Sequence, residues 1–585
     1  MKQSSSTPLS RQDFDAFPWH FAETVCRLAP GGTSRAPDDL FLAAALTAQN
    51  TFVDKHVCLD LSSQIPLTVA DNEEPIQFIP AAGLLDTLRS DVCSFAVALD
   101  PRPDSGAFKP LILEANRLYL QRYWLYENML ARLLKTCAAH LSEPDMIDDP
   151  QSLTKLTLDT SQTEAIRHVF ANRFTVITGG PGTGKTTIVS VVLAALLKAN
   201  PELNVCLCAP TGKAQARLKE ALDHEINANL KLDDIPALKA KLGELKTSTI
   251  HRLLKCKPPL MICSANAENP LPADVLIVDE VSMVDLSFMV KLLTAVRETC
   301  KVILLGDSDQ LAAVETGAVL AELCDASWGS KPPIVRLTKS HRFKSECGIG
   351  QLKDAVNAGD SDDAWSILHT GSSDAISHAS SPATHDICER ELARLLSDTQ
   401  HPLRAYLKES TPHTAFPLFD SFRILCAVNN GPCGVDHVNR CIQKLLGIGD
   451  YAHGYPLMVK VNDYTHRLFN GDIGLCLRSP ESGDIRVWFP DIDHPGQYRS
   501  FSQSEIPEHV SVFAMTVHKA QGSGFDNVLL VLPPNKNRIL TRELVYTGLT
   551  RAKSHCAIWT NKSVFTAAVE HRTRRMSGLK DKLDW

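Results

Sequence analysis

The chain has 585 residues, more than one hydrophobic core accommodates, so three or four domains are expected. Its 44% hydrophobic and 22% charged content is that of a globular protein, and apolar runs such as Val191 to Leu197 fall far short of a membrane span. With 60 basic against 67 acidic residues and a net charge of −7, a uniformly basic coat for nucleic acid is excluded, whereas a local basic groove is not.

The first residues, Met1-Lys-Gln-Ser-Ser-Ser-Thr7, are polar and lack the apolar core of a secretory signal, so a cytoplasmic protein is expected. The 17 cysteines are scattered, many within apolar strands such as Val205-Cys-Leu-Cys208, and no C-x-x-C pair occurs. That pattern predicts reduced, buried thiols, with neither a zinc site nor a disulfide framework. Residues 1–145 read as a mostly helical domain, with helices over 14–28, 37–52 and 111–139. The stretch Arg117-Leu-Tyr-Leu-Gln-Arg-Tyr-Trp-Leu-Tyr126 interleaves aromatics with arginines. Such a stripe stacks on bases or, more commonly, packs against another domain or subunit.

From about residue 153 short apolar strands alternate with helices, the texture of a parallel sheet. Gln162, at the end of Leu158-Asp-Thr-Ser-Gln162, is either a helix-start residue or a reader of an adenine edge through its bidentate amide. Strands are predicted over 174–178, 204–208, 275–279 and 302–306, each ending at residues with chemical character.

After the first of these strands, Gly179, Gly180, Pro181, Gly182, Thr183, Gly184, Lys185 and Thr186 fit the phosphate loop G-x-x-x-x-G-K-[ST], with Thr187 next in the helix 185–198. Glycines let backbone N–H groups approach phosphates, the helix N-terminus adds positive potential, and Lys185 reaches the β and γ oxygens of ATP. Thr186 offers a hydroxyl to Mg²⁺. About 95 residues on, Val275-Leu-Ile-Val-Asp-Glu280 presents two carboxylates at a strand tip. Asp279 suits Mg²⁺ and Glu280 suits the general base that polarises water. Gly306-Asp-Ser-Asp-Gln310 closes the next strand, and Gln310 is placed to touch both γ-phosphate and the attacking water.

Residues 371–385 read as a loop, and a second αβ block begins at Phe422. Consecutive strands at 456–462, 473–477 and 485–489 suggest a small barrel-like β insertion at about 450–510. The αβ texture returns at Ser511 and closes with a helix over 541–553, a strand over 556–560 and a last helix.

These elements in this order resemble superfamily 1 helicases. Pro210-Thr-Gly-Lys-Ala214, Thr249-Ile-His-Arg-Leu-Leu254, Leu337-Thr-Lys-Ser-His-Arg-Phe343, Leu468-Phe-Asn-Gly-Asp-Ile-Gly474, Ala514-Met-Thr-Val-His-Lys-Ala-Gln-Gly522 and Leu544-Val-Tyr-Thr-Gly-Leu-Thr-Arg-Ala552 are similar to the set carried by RecD proteins, the alpha subunits of exodeoxyribonuclease V. The resemblance runs from about residue 110 to the end. It implies an α/β fold of two RecA-like P-loop motor domains, 146–345 and 346–585, behind a helical partner-docking domain at 1–145.

It also implies that Arg342 and Arg551 come from the second motor domain and reach the γ-phosphate across the cleft, and that Gly522 borders the nucleotide. Thr211, Lys213, Thr249, His251, Thr516 and His518 match positions lining a single-strand DNA groove. The implied activity is ATP-dependent 5′→3′ translocation on DNA. The implied partners are a RecB-like helicase–nuclease and a RecC-like subunit, with no membrane association. No carboxylate–carboxylate–lysine cluster marks a nuclease, so nuclease activity is expected to reside in the complex. One position departs from the pattern: where related proteins carry a ribose-binding Glu, this chain has Gly524, which predicts weaker discrimination between nucleotides.

Overall fold

The computed structural model describes residues 14–30, 36–67, 77–102, 109–139, 149–257, 261–329, 332–342, 348–370, 374–479, 483–491, 494 and 496–584. Phe343 and residues 1–13 therefore lie outside the described part.

The first α/β lobe is a six-stranded parallel sheet in the order Ile334–Leu337, Phe174–Gly179, Lys301–Gly306, Val275–Val278, Val205–Ala209, Thr247–Thr249. Its central strands are continuous apolar runs because helices cover both faces. The helix Lys185–Ala199 is buried on nearly every side beyond its first turn, which is why it lacks a polar face. All strands of a parallel sheet end on the same side. The phosphate loop, Thr211, Thr249, Asp279, Gln310 and Arg342 are thereby gathered along one carboxyl edge.

The second lobe is a five-stranded parallel sheet in the order Ile376–Ala379, Ala552–Trp559, Phe525–Val531, Phe422–Cys426, Ala514–Thr516. The segment 371–385, expected to be a loop, supplies the edge strand Ile376–Ala379; 371–373 lie outside the described residues. The expected helix over 541–553 ends early, at Leu549, and the following strand begins at Ala552. Small and polar residues hid that strand, whose register is set by the parallel neighbour Phe525–Val531.

The β insertion has five antiparallel strands, not three, in the order Tyr498–Phe501, Ile485–Pro490, Ile473–Arg478, Pro456–Val459, His509–Ser511. No ladder joins the two outer strands among the described residues, so the sheet is open and not a barrel. The reason lies in its packing. Leu457, Leu475 and Val487 share a core with Tyr406, Phe416 and Phe419, so helices cover the apolar face that a barrel would bury by closing on itself.

The N-terminal region carries the helices Ala16–Cys26, Asp38–Phe52 and Ala81–Arg89, but also a four-stranded sheet. Residues 111–139 are not one helix. Leu111–Glu114 and Arg117–Leu120 pair as a hairpin turned at Ala115 (φ +52°), and the helix proper is Gln121–Ala139. Tyr119 and Trp124 are buried, and the helix shares a core with Met289, Val290 and Leu293 of the first lobe. Most of the aromatic–arginine stripe is thus a packing face.

Cys256 and Cys263, opposite each other in a short hairpin, form a disulfide, contrary to the expectation of thiols only. Their seven-residue separation carried no recognisable pattern; the hairpin register brings them together. The other described cysteines are free, and all but Cys206 are buried.

The C-terminal tail leaves the second lobe after Lys562–Glu570 and straps the other two units together. Glu127, wholly buried, accepts hydrogen bonds from Tyr119 Oη (3.1 Å), Ser577 Oγ (2.7 Å) and Gly578 N–H (2.9 Å) and pairs with Lys582 (2.9 Å). Arg117 pairs with Asp581, and Arg575 donates to Glu315 O (2.6 Å) and Gly317 O (2.7 Å). His56 Nδ1 accepts the Met576 N–H at 2.9 Å, while Val57 N–H donates to Met576 O. Burial, and secondarily Arg575, holds His56 down at about 4. Its folded value is therefore below the ordinary 6.5, so its contribution to stability is complete above about pH 6.5 and disappears as pH falls toward 4. Thermal unfolding of the full chain from pH 7 to 4.5 is expected to show a steeper fall than that of His56→Asn. Parallel pH profiles for the two proteins would reject the role of His56 in the strap.

Candidate functional site

The strand Phe174–Gly179 turns through Gly182 (φ +78°) and Gly184 (φ +84°) into the helix Lys185–Ala199. Glycine is required on two grounds at these positions. Both angles are left-handed, and a Cβ would sit 2.3 Å from Arg342 Cβ at Gly182 and 2.3 Å from Gln162 Nε2 at Gly184. Thr183 Oγ1 donates to Gly180 O (2.9 Å), Ser340 Oγ to Pro181 O (3.1 Å) and His341 N–H to Gly182 O (2.7 Å), so the loop is propped from within and from the neighbouring strand end. Lys185 Nζ donates to Gly179 O (2.6 Å) and Gly180 O (3.2 Å), bonds it must exchange to hold a phosphate.

Beside the loop lies a cavity of about 620 Å³, a size suited to a nucleotide. It brings together residues distant in the sequence: Gln162, Thr186, Asp279, Glu280, Gln310, Arg342, Gly522 and Arg551 all line it. Thr187 lines it too, but its hydroxyl is turned to Glu225 (3.0 Å). Gln162 serves the helix start. Its carbonyl accepts Asp159 N–H (3.1 Å) in a capping box, and its Nε2 donates to Thr183 O (3.1 Å). Adenine reading by Gln162 would require that box to open.

Burial first, and then the neighbouring Glu280 charge, pushes Asp279 up to about 6, with Lys185 acting in the opposite sense. One Asp279 oxygen accepts Glu280 N–H (2.9 Å), and the residue lines the cavity. Glu280 itself is left-handed (φ +53°, ψ +43°), an uncommon backbone for a residue with a side chain. The oxygen donors Thr186 and Asp279 fit Mg²⁺, a hard cation that takes part of its shell from phosphate and water. Among the described residues no group of three or more His, Cys, Asp or Glu forms a metal site.

Arg551 is buried and makes three bonds: Nη2 to Gln310 Oε1 (2.9 Å), Nη1 to Ser523 O (3.0 Å) and Nε to Thr547 O (3.1 Å). It crosses from the second lobe to the first. Arg342 does not. It follows Ile334–Leu337, the edge strand of the first sheet, and lies against the phosphate loop, so its expected delivery from the second lobe is corrected.

Four contributors to this site were not singled out in the sequence. Asp307, raised by burial, accepts Gln310 Nε2 (2.8 Å) and Tyr546 Oη (3.1 Å). Thr547 Oγ1 accepts Leu311 N–H (2.9 Å), and Gln521 Nε2 donates to Leu311 O (2.8 Å). Together with Arg551 they tie the turn after Lys301–Gly306 to the second lobe. A carboxylate directly after a buried strand was the available signal for Asp307. Tyr546 and Thr547 lie within the motif 544–552, but no role was assigned to either.

The candidate DNA-contacting residues separate. Thr211 and Thr249 are helix N-caps, accepting Ala214 N–H and Arg252 N–H (both 3.2 Å). Thr211 and His251 line a second cavity, beside the N-terminal helix. Thr516 is buried and accepts Lys519 N–H, and half-buried His518 is lowered by burial and then by Arg575. Lys213 faces the other lobe and not an open groove: its ammonium lies 5.5 Å from the Phe525 ring, and burial and then Arg217 push it down to about 7. Gly524 O accepts Arg217 Nη2 (2.9 Å), and a Cβ there would lie 3.4 Å from Arg217 Nη1. A glutamate at 524 would thus meet Arg217, itself a wall of the nucleotide cavity.

No helix among the described residues is long and apolar enough to cross a membrane. Residues 162–316 match the AAA domain model, 511–559 the UvrD-like helicase C-terminal domain, and 11–119 the N-terminal domain of RecBCD enzyme subunit RecD. The chain is 35% identical over 561 residues to the RecBCD enzyme subunit RecD of Mycolicibacterium smegmatis, covering 94% of each chain. To that of Haemophilus influenzae it is 31% identical over 576 residues, covering 88% of this chain and 87% of the relative. To the ATP-dependent RecD2 DNA helicase of Deinococcus radiodurans it is 29% identical over 480 residues, covering 80% of this chain but 58% of that protein. With near-complete coverage of the RecBCD subunits and a match to their N-terminal domain, the chain belongs to the RecD family of helicase subunits of the RecBCD enzyme.

Proposed function

We propose that the chain is the ATP-driven 5′→3′ single-strand DNA translocase of a bacterial helicase–nuclease complex acting on double-strand ends in recombinational repair. The observation that carries the motor reading is the bridge Asp307–Gln310–Arg551 with Tyr546, which joins the edge of the nucleotide cavity to the second lobe. A change at the γ-phosphate position is felt by Gln310 and Arg551 together, so hydrolysis alters how the lobes are held.

In this reading the phosphate loop N–H groups and Lys185 hold the β and γ phosphates, and Gln162 supports the loop. Glu280 takes the proton of the attacking water. Arg551 and Arg342 meet charge building on the γ-phosphoryl oxygens. Mg²⁺, held by Thr186 and Asp279 with the phosphates, would neutralise phosphate charge. Thr211, Thr249, His251, Thr516 and His518 would contact the strand through hydroxyls, backbone amides and imidazoles, contacts that slide without reading bases. The polarity and the assembly with RecB-like and RecC-like partners rest on family membership. The chain covers 94% of the RecBCD subunit of Mycolicibacterium smegmatis but 58% of the RecD2 DNA helicase, which favours the complex subunit.

ATP hydrolysis by the purified chain should rise strongly with single-stranded DNA and be lost in Lys185→Gln. With partner subunits present, a duplex with a 5′ tail should be unwound and a 3′-tailed one should depend on the partner motor. Hydrolysis indifferent to DNA both alone and in the complex would end the translocase reading.

A further inference from the structure

The second cavity, of about 480 Å³, lies between the N-terminal helix Gln121–Ala139 and the first motor lobe. Its walls include Arg122, Tyr123, Tyr126, Thr211, His251 and Phe288. The ring of His251 lies 4.2 Å from that of Phe288, and Arg122 covers Tyr126 at 5.4 Å. From this cavity a run of rings continues over the N-terminal region. Tyr126 to Tyr123 is 6.4 Å, Tyr123 to Phe52 is 6.1 Å and Phe52 to Phe17 is 4.7 Å between centroids. The outer rings are open to solvent, Phe52 at 38% and Phe17 at 55% exposure.

Scattered exposed aromatics need no explanation, but here two exposed rings continue through two half-buried ones into a cavity. We propose that this file and its cavity form a base-stacking track that extends the single-strand path from the motor lobe across the N-terminal domain. The inference rests on the translocase reading above and adds to it a site on the N-terminal domain.

Two features favour a nucleic-acid strand as the occupant. The track is continuous with Thr211 and His251, which stand at the sheet edge where the motor would hold its strand. Cation and ring are combined: Arg122 bonds the Tyr126 hydroxyl (3.2 Å), pairs with no carboxylate among the described residues, and leaves its charge for a phosphate. Of the nearby acids, Glu315 pairs with Lys55 (3.4 Å), and Asp285, which caps Phe288 N–H (3.0 Å), is the charge that a strand would displace from beside Arg122. Every base has a π-face, so such a track holds DNA without selecting sequence, as a translocating enzyme requires.

The test uses the full chain and oligo(dT) carrying 5-iododeoxyuridine at successive positions. Photocrosslinks should map to Tyr126, Tyr123 or Phe52, and to Phe17 only with longer oligonucleotides. Binding of fluorescent oligo(dT) should weaken about tenfold in Tyr126→Ala and in Phe52→Ala, and less in Phe17→Ala at the outer end of the file. Tyr126→Phe, which keeps the ring, should restore most of the affinity. Unchanged affinity in folded Phe17→Ala, Phe52→Ala and Tyr126→Ala, with crosslinks elsewhere, overturns the track while leaving the motor reading intact. If the same variants bind DNA normally but fail to assemble with the partner subunits, the file is a protein-docking face and the proposal is wrong. A wild-type chain that binds no oligo(dT), alone or with its partners, removes the translocase reading and this inference together.

Discussion

Arg551→Ala is expected to lower ATP turnover by about 10³–10⁵-fold, the range for loss of an arginine that meets transition-state charge. Three of the five N–H donors of Arg551 are engaged by Gln310, Ser523 and Thr547, which hold the guanidinium at the cavity wall. The side chain is therefore positioned before ATP arrives, and little reorganisation is needed at the moment of reaction. Burial lowers its proton affinity, while Glu280 and then Asp307 act to raise it, so the neighbouring carboxylates oppose the desolvation. Arg551→Lys should recover little, because an ammonium cannot make the forked contacts. Single-turnover hydrolysis, measured alongside binding of a fluorescent ATP analogue, separates the effects. A large loss in rate with affinity changed less than about tenfold supports action in the transition state. A rate loss of only a few-fold would reduce Arg551 to a structural tie between the lobes.

Glu280→Gln should reduce hydrolysis by about 10²–10⁴-fold while leaving nucleotide binding in place. The substitution keeps shape and removes the base. The left-handed backbone at Glu280 is held by its N–H bond to Asp279 Oδ1 and by the Met283 N–H bond to Glu280 O. That turn sets Glu280 on the cavity wall beside Asp279. A strained backbone at this position is consistent with a side chain aimed for chemistry, at a conformational cost of about 1–3 kcal/mol. A Glu280→Gln protein that binds ATP and single-stranded DNA together without turnover is the expected product. If it hydrolyses ATP at more than about a tenth of the normal rate, another group activates the water.

The two predictions differ in how far the sequence alone supported them. The phosphate loop and Asp279-Glu280 were legible because their chemistry is local: a glycine-rich turn between strand and helix, and carboxylates at a strand tip, are complete within ten residues. Arg551 was named only through family resemblance, and its partners Asp307, Tyr546 and Thr547 were not named as a group. Their meeting depends on how two sheets face each other, which no short-range pattern encodes. The same resemblance assigned Arg342 to the second lobe, whereas chain topology places it just after the edge strand of the first. Lys213 was also named through its motif, as a residue lining the strand groove, and packing between the lobes places its ammonium 5.5 Å from the Phe525 ring.

Local pattern was enough for the parallel-sheet core, because buried apolar strands alternating with helices have few other ways to hide their surface. It determined the nucleotide chemistry as well, since the loop and carboxylates require those residue types at those spacings. Tertiary structure decided what depends on contacts between distant segments. The β insertion stays open because helices cover its apolar face. The hairpin 111–120 was concealed because its residues are as apolar as the helix that follows. The C-terminal tail returns to the N-terminal region because buried Glu127 finds Ser577, Gly578 and Lys582 there. The tail's return turns on polar groups that find partners across hundreds of residues, and local sequence carries no record of that pairing.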